Sequence, residues 1–198
     1  MTKTLERIRS VAVYCGALSP PNPCYAEAAA RLGAFIADNG MTLVFGGAAT
    51  GLMKVLADAA LARGGRVVGV FTDGLAREIL HTGLTETVFT NSLAERKAEM
   101  LRRADAIVAL PGGFGTWDEL FDALALRRKK NGHKAPIGVL NVNGYFDLLL
   151  AFIAHSVDEG FVSPRRLQLL KSGRTPEALF KQLAGSLAPN VGRPEFRE

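Results

Sequence analysis

Cysteine is scarce in this chain of 198 residues, which has only Cys15 and Cys24. One follows an apolar run and the other lies in a proline-containing loop, so they form neither a disulfide framework nor the paired ligands of a zinc site. The three histidines, His81, His133 and His155, are scattered and lack ligand spacing, and we assign them no role. The sequence therefore predicts a protein without a bound metal.

Long apolar runs and clustered aromatic residues are also absent. No run approaches the roughly 20 residues of a membrane span, and the first ten residues are polar and charged, unlike a signal segment. Aromatic residues make up 8% of the chain and do not alternate with a basic stripe, which argues against a nucleic-acid partner. The densest basic run, residues 127–130, closes a predicted helix, where cations offset the helix dipole. We expect a soluble, cytoplasmic protein that binds neither membranes nor nucleic acids.

Short apolar runs alternate with longer amphipathic stretches along the chain. Because these runs are nearly continuous in apolar residues, they are typical of parallel strands covered by helices on both faces. The pattern predicts an α/β fold, a Rossmann-like doubly wound parallel sheet in a single domain over residues 1–185, followed by a loose C-terminal tail over residues 186–198. The predicted strands are residues 11–15, 42–45, 66–71, 85–90, 106–110 and 136–141.

Two glycine loops follow predicted strands and precede predicted helices. Residues 111–119 read Pro-Gly-Gly-Phe-Gly-Thr-Trp-Asp-Glu, and residues 46–51 read Gly-Gly-Ala-Ala-Thr-Gly. Glycine backbone and a helix N-terminus together bind phosphate, and ligands of such sheets lie at the carboxyl ends of the strands. Neither loop has the Gly-x-Gly-x-x-Gly or Gly-Lys-Ser/Thr pattern of dinucleotide enzymes and ATPases. The loops therefore predict one crevice for a phosphorylated ligand smaller than a dinucleotide.

A capping box, Ser92-Leu93-Ala94-Glu95, predicts a helix that begins near residue 93. On this helix one side combines apolar residues with a lysine, and Arg96 lies at its edge; the residues of that side are Leu93, Lys97, Met100, Leu101 and Ala104. Either both cations extend past the core into water, or the helix directs Arg96 and Lys97 into the crevice toward an anion.

Glu119 has two interpretations. Thr116-x-x-Glu119 is itself a capping box, which alone would explain the carboxylate. Alternatively, Glu119 lies about 4.5 Å along the helix axis from Thr116 and could reach the sugar of a nucleotide whose phosphate occupies the loop. A carboxylate there can stabilise positive charge on the sugar or activate water, which suggests cleavage of a glycosidic bond; Asp118 is the competing acid.

Over residues 11–183 the sequence resembles the Lonely Guy family of cytokinin riboside 5′-monophosphate phosphoribohydrolases. The matching motifs are residues 111–119, Glu95-Arg96-Lys97, Gly46-Gly47, Gly51-Leu52-Met53, Cys15-Gly16, Arg77-Glu78 and Gly83-Leu84-Thr85-Glu86. The resemblance implies a homodimeric enzyme without a cofactor. It implies hydrolysis of a nucleoside 5′-monophosphate, such as AMP or N6-isopentenyl-AMP, to free base and ribose 5-phosphate.

The family's functional residues carry over by motif. The catalytic pair corresponds to Arg96 and Glu119. The remaining positions, which bind substrate in the family, correspond to Gly46, Gly47, Glu78, Lys97, Gly112, Gly113, Phe114, Gly115 and Thr116. The chain departs from the family pattern at Ala17, Ala48, Lys54 and Ala94, and none of these changes removes the catalytic pair.

Three further hypotheses are open at this point. A nonenzymatic, regulatory nucleotide-binding module would use the same loops only as a clamp. The lysine decarboxylase label given to relatives would require pyridoxal phosphate on a lysine, for which only Lys97 could serve. Self-association is predicted from the helix over residues 116–130, where Leu126 lies opposite the apolar stripe of Trp117, Leu120, Phe121 and Leu124.

Overall fold

Seven parallel strands form one sheet in the computed structural model, which describes residues 7–73, 77–127 and 132–187. In spatial order the strands run β4-β3-β2-β1-β5-β6-β7. Their bounds are Ser10–Tyr14 (β1), Thr42–Phe45 (β2), Val67–Thr72 (β3), Glu86–Thr90 (β4), Ala106–Ala109 (β5), Ile137–Leu140 (β6) and Leu170–Gly173 (β7).

Helices cover both faces of this sheet. The helices are Cys24–Asp38 (α1), Gly51–Ala62 (α2), Leu93–Arg103 (α3), Phe114–Arg127 (α4), Asp147–Asp158 (α5), Pro164–Leu167 (α6) and Pro176–Gly185 (α7), with 3-10 turns at Arg77–Ile79 and Val142–Gly144. One core cluster contains buried residues of α1, α2 and α7, such as Leu32, Leu56 and Leu183. The other contains Met100 of α3 and Leu120 of α4. This arrangement confirms the predicted doubly wound fold.

The order of the strands creates a crevice in the middle of the sheet. The chain builds outward from β1 to β4, then returns to the other side of β1 with β5. β1 and β5 are therefore neighbours, and the direction in which successive strands are added reverses between them. The loops after these two strands lie at this switch point, which is where doubly wound proteins bind ligands.

The six predicted strands are present with boundary shifts of at most one residue, whereas β7 was missed. Its sequence, Leu-Lys-Ser-Gly, has no apolar run, and this edge strand is only partly buried. Leu126 packs against the second core cluster, whereas Trp117 and Phe121 of the predicted inner stripe are exposed, so the predicted outward face of that helix was wrong. Residues 128–130 of the basic run and residues 188–198 of the predicted tail lie outside the described residues. None of the described helices is long and apolar enough to cross a membrane.

Candidate active site

A cavity of about 420 Å³ opens at the carboxyl ends of β1, β2 and β5. Its walls are mostly apolar, and both glycine loops contribute to them through Gly46 and Gly112. The single crevice predicted from the two loops is therefore present. Arg96 and Glu119 are the charged side chains among the described residues that line it.

The loop after β5 leads directly into α4. The N–H of Trp117 donates to the carbonyl of Gly113 at 3.1 Å, so the helix begins two residues before Thr116. Thr116 is consequently buried within the first turn, and the capping-box interpretation of Thr116 and Glu119 was wrong. A Cβ added to Gly112 would lie 2.1 Å from Oγ1 of Thr116 and 2.8 Å from the nitrogen of Gly16. This close approach requires glycine at position 112.

The loop after β2 packs against the loop after β1. Gly51 has φ +52°, and an added Cβ there would lie 2.3 Å from the carbonyl carbon of Ala17. The N–H of Leu52 donates to the carbonyl of Gly16 at 3.0 Å. At Gly46, an added Cβ would lie 2.1 Å from Nη2 of Arg96. The absence of a side chain at Gly46 thus leaves the space that the Arg96 guanidinium occupies.

The start of α3 positions Arg96. The Glu95 N–H donates to Oγ of Ser92 at 3.1 Å, as predicted, whereas the Glu95 carboxylate accepts from the Asn91 N–H at 2.9 Å. Arg96 then donates from Nε to the carbonyl of Val70 in β3 at 2.9 Å, and from Nη1 to Oε1 of Glu119 at 3.0 Å. The two charged side chains are mostly buried, with exposures of 13% and 10%. Each charge therefore offsets the desolvation of the other.

Burial raises the pKa of Glu119 to about 6, although the neighbouring Arg96 charge opposes the shift. The carboxylate is ionised at neutral pH. Within the described part of the chain, Oε2 of Glu119 has no hydrogen-bond partner, whereas Oε1 accepts from Arg96. Glu119 thus combines one anchored oxygen with one that is available to a ligand in the cavity.

Lys97 lies outside the cavity. Its Nζ lies 2.9 Å from Oδ2 of Asp118 and 3.6 Å from Oδ2 of Asp122. The hydrogen bond with Asp118 raises the pKa of Lys97, whereas a lysine that forms a Schiff base needs its pKa lowered. Leu93, predicted on the same side of α3, is mostly exposed because the core contacts only the later turns of the helix, through Met100 and Leu101.

The structure brings together most of the residues predicted for the site. The predicted residues that line the cavity are Gly46, Arg96, Gly112, Gly113, Gly115, Thr116 and Glu119. The other predicted positions do not line the cavity: Gly47 packs near Phe71, Lys97 is paired with Asp118, Glu78 is exposed on a 3-10 turn, and Phe114 is 84% exposed.

The four departures from the family pattern have different surroundings. Ala17 lines the cavity, and Ala48 is buried in a bridge with Leu80. Lys54 forms an ion pair with Asp58, and Ala94 is exposed on α3. Of the four, only Ala17 borders the cavity directly.

Sequence reasoning missed three tyrosines that line the cavity, Tyr14, Tyr25 and Tyr145. Tyr14 ends β1 at the predicted crevice, so its place at the carboxyl end of a strand was a usable signal. Burial raises the pKa of Tyr14 and that of the neighbouring Cys15, so both groups are neutral at physiological pH. A neutral, buried thiol is a poor nucleophile, which argues against covalent chemistry at Cys15.

Comparison with known proteins finds a family model and named relatives that match most of the chain. Residues 53–183 match the family model described as "possible lysine decarboxylase". The chain is 42% identical over 187 residues to a protein of Oryza sativa subsp. japonica named as a probable cytokinin riboside 5′-monophosphate phosphoribohydrolase, covering 94% of this chain and 76% of that protein. It is 39% identical over 199 residues to a cytokinin riboside 5′-monophosphate phosphoribohydrolase of Arabidopsis thaliana, covering 100% of this chain and 88% of that enzyme.

A solved structure with the same fold is the molybdenum cofactor carrier protein of Chlamydomonas reinhardtii. The TM-score is 0.68 at 20% identity, covering 89% of this chain and 96% of that protein. At this identity the likeness concerns the fold alone, and function has to be argued from the site.

Proposed function

Since the chain belongs to the Lonely Guy family of cytokinin riboside 5′-monophosphate phosphoribohydrolases, we propose that it hydrolyses the N-glycosidic bond of an adenosine 5′-monophosphate, N6-modified or plain. The products are the free base and ribose 5-phosphate, and with an N6-modified substrate the reaction is of the cytokinin-activating type. The observation that carries the proposal is the buried ion pair of Arg96 and Glu119 in a cavity that a glycine loop also lines.

The glycine loop at residues 112–116 is the phosphate site in this proposal. The first N–H groups of α4 have no acceptor within the helix and carry the positive end of its dipole. A Cβ added to Gly113 or to Gly115 would meet nothing within 4 Å, so open space lies beside both residues. Backbone donors around open space suit a phosphate, and the phosphate fixes the position of the attached ribose.

Glu119 and Arg96 act on the ribose. The bond from the anomeric carbon to the base nitrogen breaks, a water oxygen bonds to that carbon, and the base nitrogen receives a proton. The ionised Glu119 either stabilises the positive charge that develops on the sugar or accepts the proton of the attacking water through Oε2. Arg96 anchors Oε1 of Glu119 and balances its charge.

The apolar part of the cavity is the proposed site of the base. Leu18, Pro20 and Met53 line it. These side chains suit a flat purine and also a short alkyl group on N6, so the wall accommodates both candidate substrates.

The two rival hypotheses receive less support from the structure. A pyridoxal phosphate enzyme would need a lysine in the cavity, and Lys97 is held outside it by Asp118 and Asp122. A nonenzymatic clamp would not require a carboxylate with a free oxygen beside the phosphate loop, as Glu119 provides.

A homodimer is part of the same proposal. Phe114, Trp117 and Phe121 form an exposed apolar stripe on α4, and Leu148 and Phe152 form a second one on α5. Both helices pack on the same face of the sheet. Apolar side chains concentrated on one face of a protein support an association surface.

The test is to incubate the purified protein separately with AMP and with N6-isopentenyl-AMP, and to resolve free base and ribose 5-phosphate by chromatography. We expect base release that is lost in Glu119→Gln, and the two rates rank the bases. Binding of both nucleotides without base release would instead favour the nonenzymatic module.

A further inference from the structure

Tyr145 connects the loop after β6 to the glycine loop after β5. Its hydroxyl donates to the carbonyl of Gly112, and its ring lines the cavity. Gly112 is the residue whose close packing against Gly16 and Thr116 shapes the loop. A side chain from a different strand end thus holds the backbone at the start of the proposed phosphate site.

The turn that carries Tyr145 is built with unusual backbone geometry. Asn143 has φ 51° and Gly144 has φ 70°, both in the left-handed region. Asn141 closes the turn, because its Oδ1 accepts from the Phe146 N–H at 2.8 Å and its Nδ2 donates to Oδ1 of Asp147 at 2.6 Å. A left-handed conformation at a residue other than glycine, such as Asn143, persists only where the surrounding contacts fix it, and the result is a defined position for Tyr145.

The ring of Tyr145 is fixed as well. It meets the ring of Tyr25 edge to face, with centroids 6.2 Å apart, and the ring of Phe146 edge to face at 5.0 Å. The hydroxyl of Tyr145 therefore reaches the Gly112 carbonyl from a rigid support and loses little conformational freedom in doing so.

We propose that Tyr145 is a positioning residue for phosphate recognition, acting through the Gly112 carbonyl. A peptide bond is planar, so fixing the carbonyl of Gly112 also fixes the N–H of Gly113. A peptide between two glycines rotates easily because no side chain restricts it. The hydrogen bond from Tyr145 keeps this peptide in one orientation, which preorganises the amide donors of the loop for a phosphomonoester.

This inference rests on the proposed function, because it takes the group bound by the loop to be the substrate's phosphate. Binding measurements can test it without turnover. Ribose 5-phosphate and inorganic phosphate report on the loop, whereas free adenine reports on the rest of the cavity. Tyr145→Phe removes only the hydroxyl and keeps the ring contacts.

Isothermal titration calorimetry of the wild type and Tyr145→Phe is the experiment. We expect Tyr145→Phe to weaken ribose 5-phosphate and inorganic phosphate binding by about 3- to 10-fold, the range for one hydrogen bond, and to leave adenine binding unchanged. With AMP, KM should rise by a similar factor while kcat changes little. Tyr25→Phe is the comparison, because it removes a hydroxyl from the same cavity without touching Gly112.

Unchanged phosphate binding in Tyr145→Phe would overturn the inference. Equal weakening of phosphate and adenine would also overturn it, as would equal weakening by Tyr25→Phe, because neither result depends on the Gly112 peptide. A wild type that binds ribose 5-phosphate but releases no base would overturn the proposed function alone. A wild type that binds neither phosphate ligand yet releases base would overturn the inference alone, and one that neither binds them nor releases base would overturn both.

Discussion

Arg96 and Glu119 join α3 to α4 through one ion pair, with Nη1 of the arginine 3.0 Å from Oε1 of the glutamate. The arginine is also fixed to β3, because its Nε donates to the Val70 carbonyl. The carboxylate is therefore held by a side chain of a different helix, which is itself tied to the sheet. Its remaining oxygen has no partner among the residues that the structure describes.

Replacing Glu119 with glutamine should abolish most of the activity and leave ligand binding largely intact. The amide keeps the size of the side chain but cannot stabilise positive charge or accept a proton. We expect kcat for AMP to fall by about 10²- to 10⁴-fold, while the Kd for ribose 5-phosphate stays near that of the wild type. Asp118→Asn is the matched control, because Asp118 is exposed and paired with Lys97 outside the cavity. Comparable losses in both variants would contradict the assignment.

Activity should decrease in acid as Glu119 is protonated. Burial raises its pKa to about 6, so the fraction of ionised enzyme falls as the pH drops through that value. We expect kcat/KM to be flat at neutral and mildly alkaline pH and to decline below about 6. The measurement is a pH profile of kcat/KM for AMP, with ribose 5-phosphate binding followed over the same range. The binding measurement is needed as a control because the substrate's phosphate also titrates with a pKa of about 6.

Arg96→Gln separates these two titrations. The charge of Arg96 lowers the pKa of Glu119, so its removal should raise that pKa and move the acidic decline of residual activity to higher pH. The phosphate's own pKa in solution does not change. A decline that stays at the wild-type pH would assign it to the substrate rather than to Glu119. We also expect a lower kcat at every pH, because Oε1 of Glu119 loses its anchor.

Gly46→Ala should impair catalysis more than folding. The added methyl group would occupy the space of Nη2 of Arg96, at 2.1 Å, and approach Sδ of Met53 at 3.1 Å. Both are ends of flexible side chains, so the fold can adjust, but Arg96 must move. A displacement of about 1 Å at a reacting group can cost about 10²-fold in rate, and we expect kcat/KM to fall on that order with a nearly unchanged Tm. Gly185→Ala, where an added Cβ meets nothing within 4 Å, is the control for the glycine change itself. Full activity of Gly46→Ala would show that the guanidinium position is not critical.

The sequence predicted the parts of the molecule that follow from local pattern. The apolar runs predicted strands β1 to β6, the glycine loops predicted the crevice, and Ser92-x-x-Glu95 predicted the start of α3. It could not give β7, whose polar sequence becomes a strand only by pairing with β6. The predicted helix start at Thr116 was also wrong, because the carbonyl of Gly113 accepts the first hydrogen bond of α4. The Glu119 carboxylate pairs with Arg96 instead of capping the helix.

The position of a side chain at the site depends on contacts between distant segments. Arg96 and Lys97 are adjacent in sequence, yet only Arg96 lines the cavity, because Asp118 and Asp122 hold Lys97 on the surface of α4. Tyr145 reaches Gly112 only because β5 and β6 are neighbours in the sheet. Neither fact is encoded in a local pattern.

The exposed apolar stripes of α4 and α5 make a final prediction about assembly. A double variant, Phe121→Arg with Phe152→Arg, places a charge in each stripe, and two charges buried without partners at a subunit contact would oppose association. We expect the wild type to be a dimer by light scattering at micromolar concentration and the double variant to be a monomer with a similar circular dichroism spectrum. Ala94→Arg adds the same charge at an exposed position on α3, outside both stripes, and should remain dimeric. A monomeric wild type would contradict the proposed dimer, and a dimeric double variant would place the subunit contact on another surface.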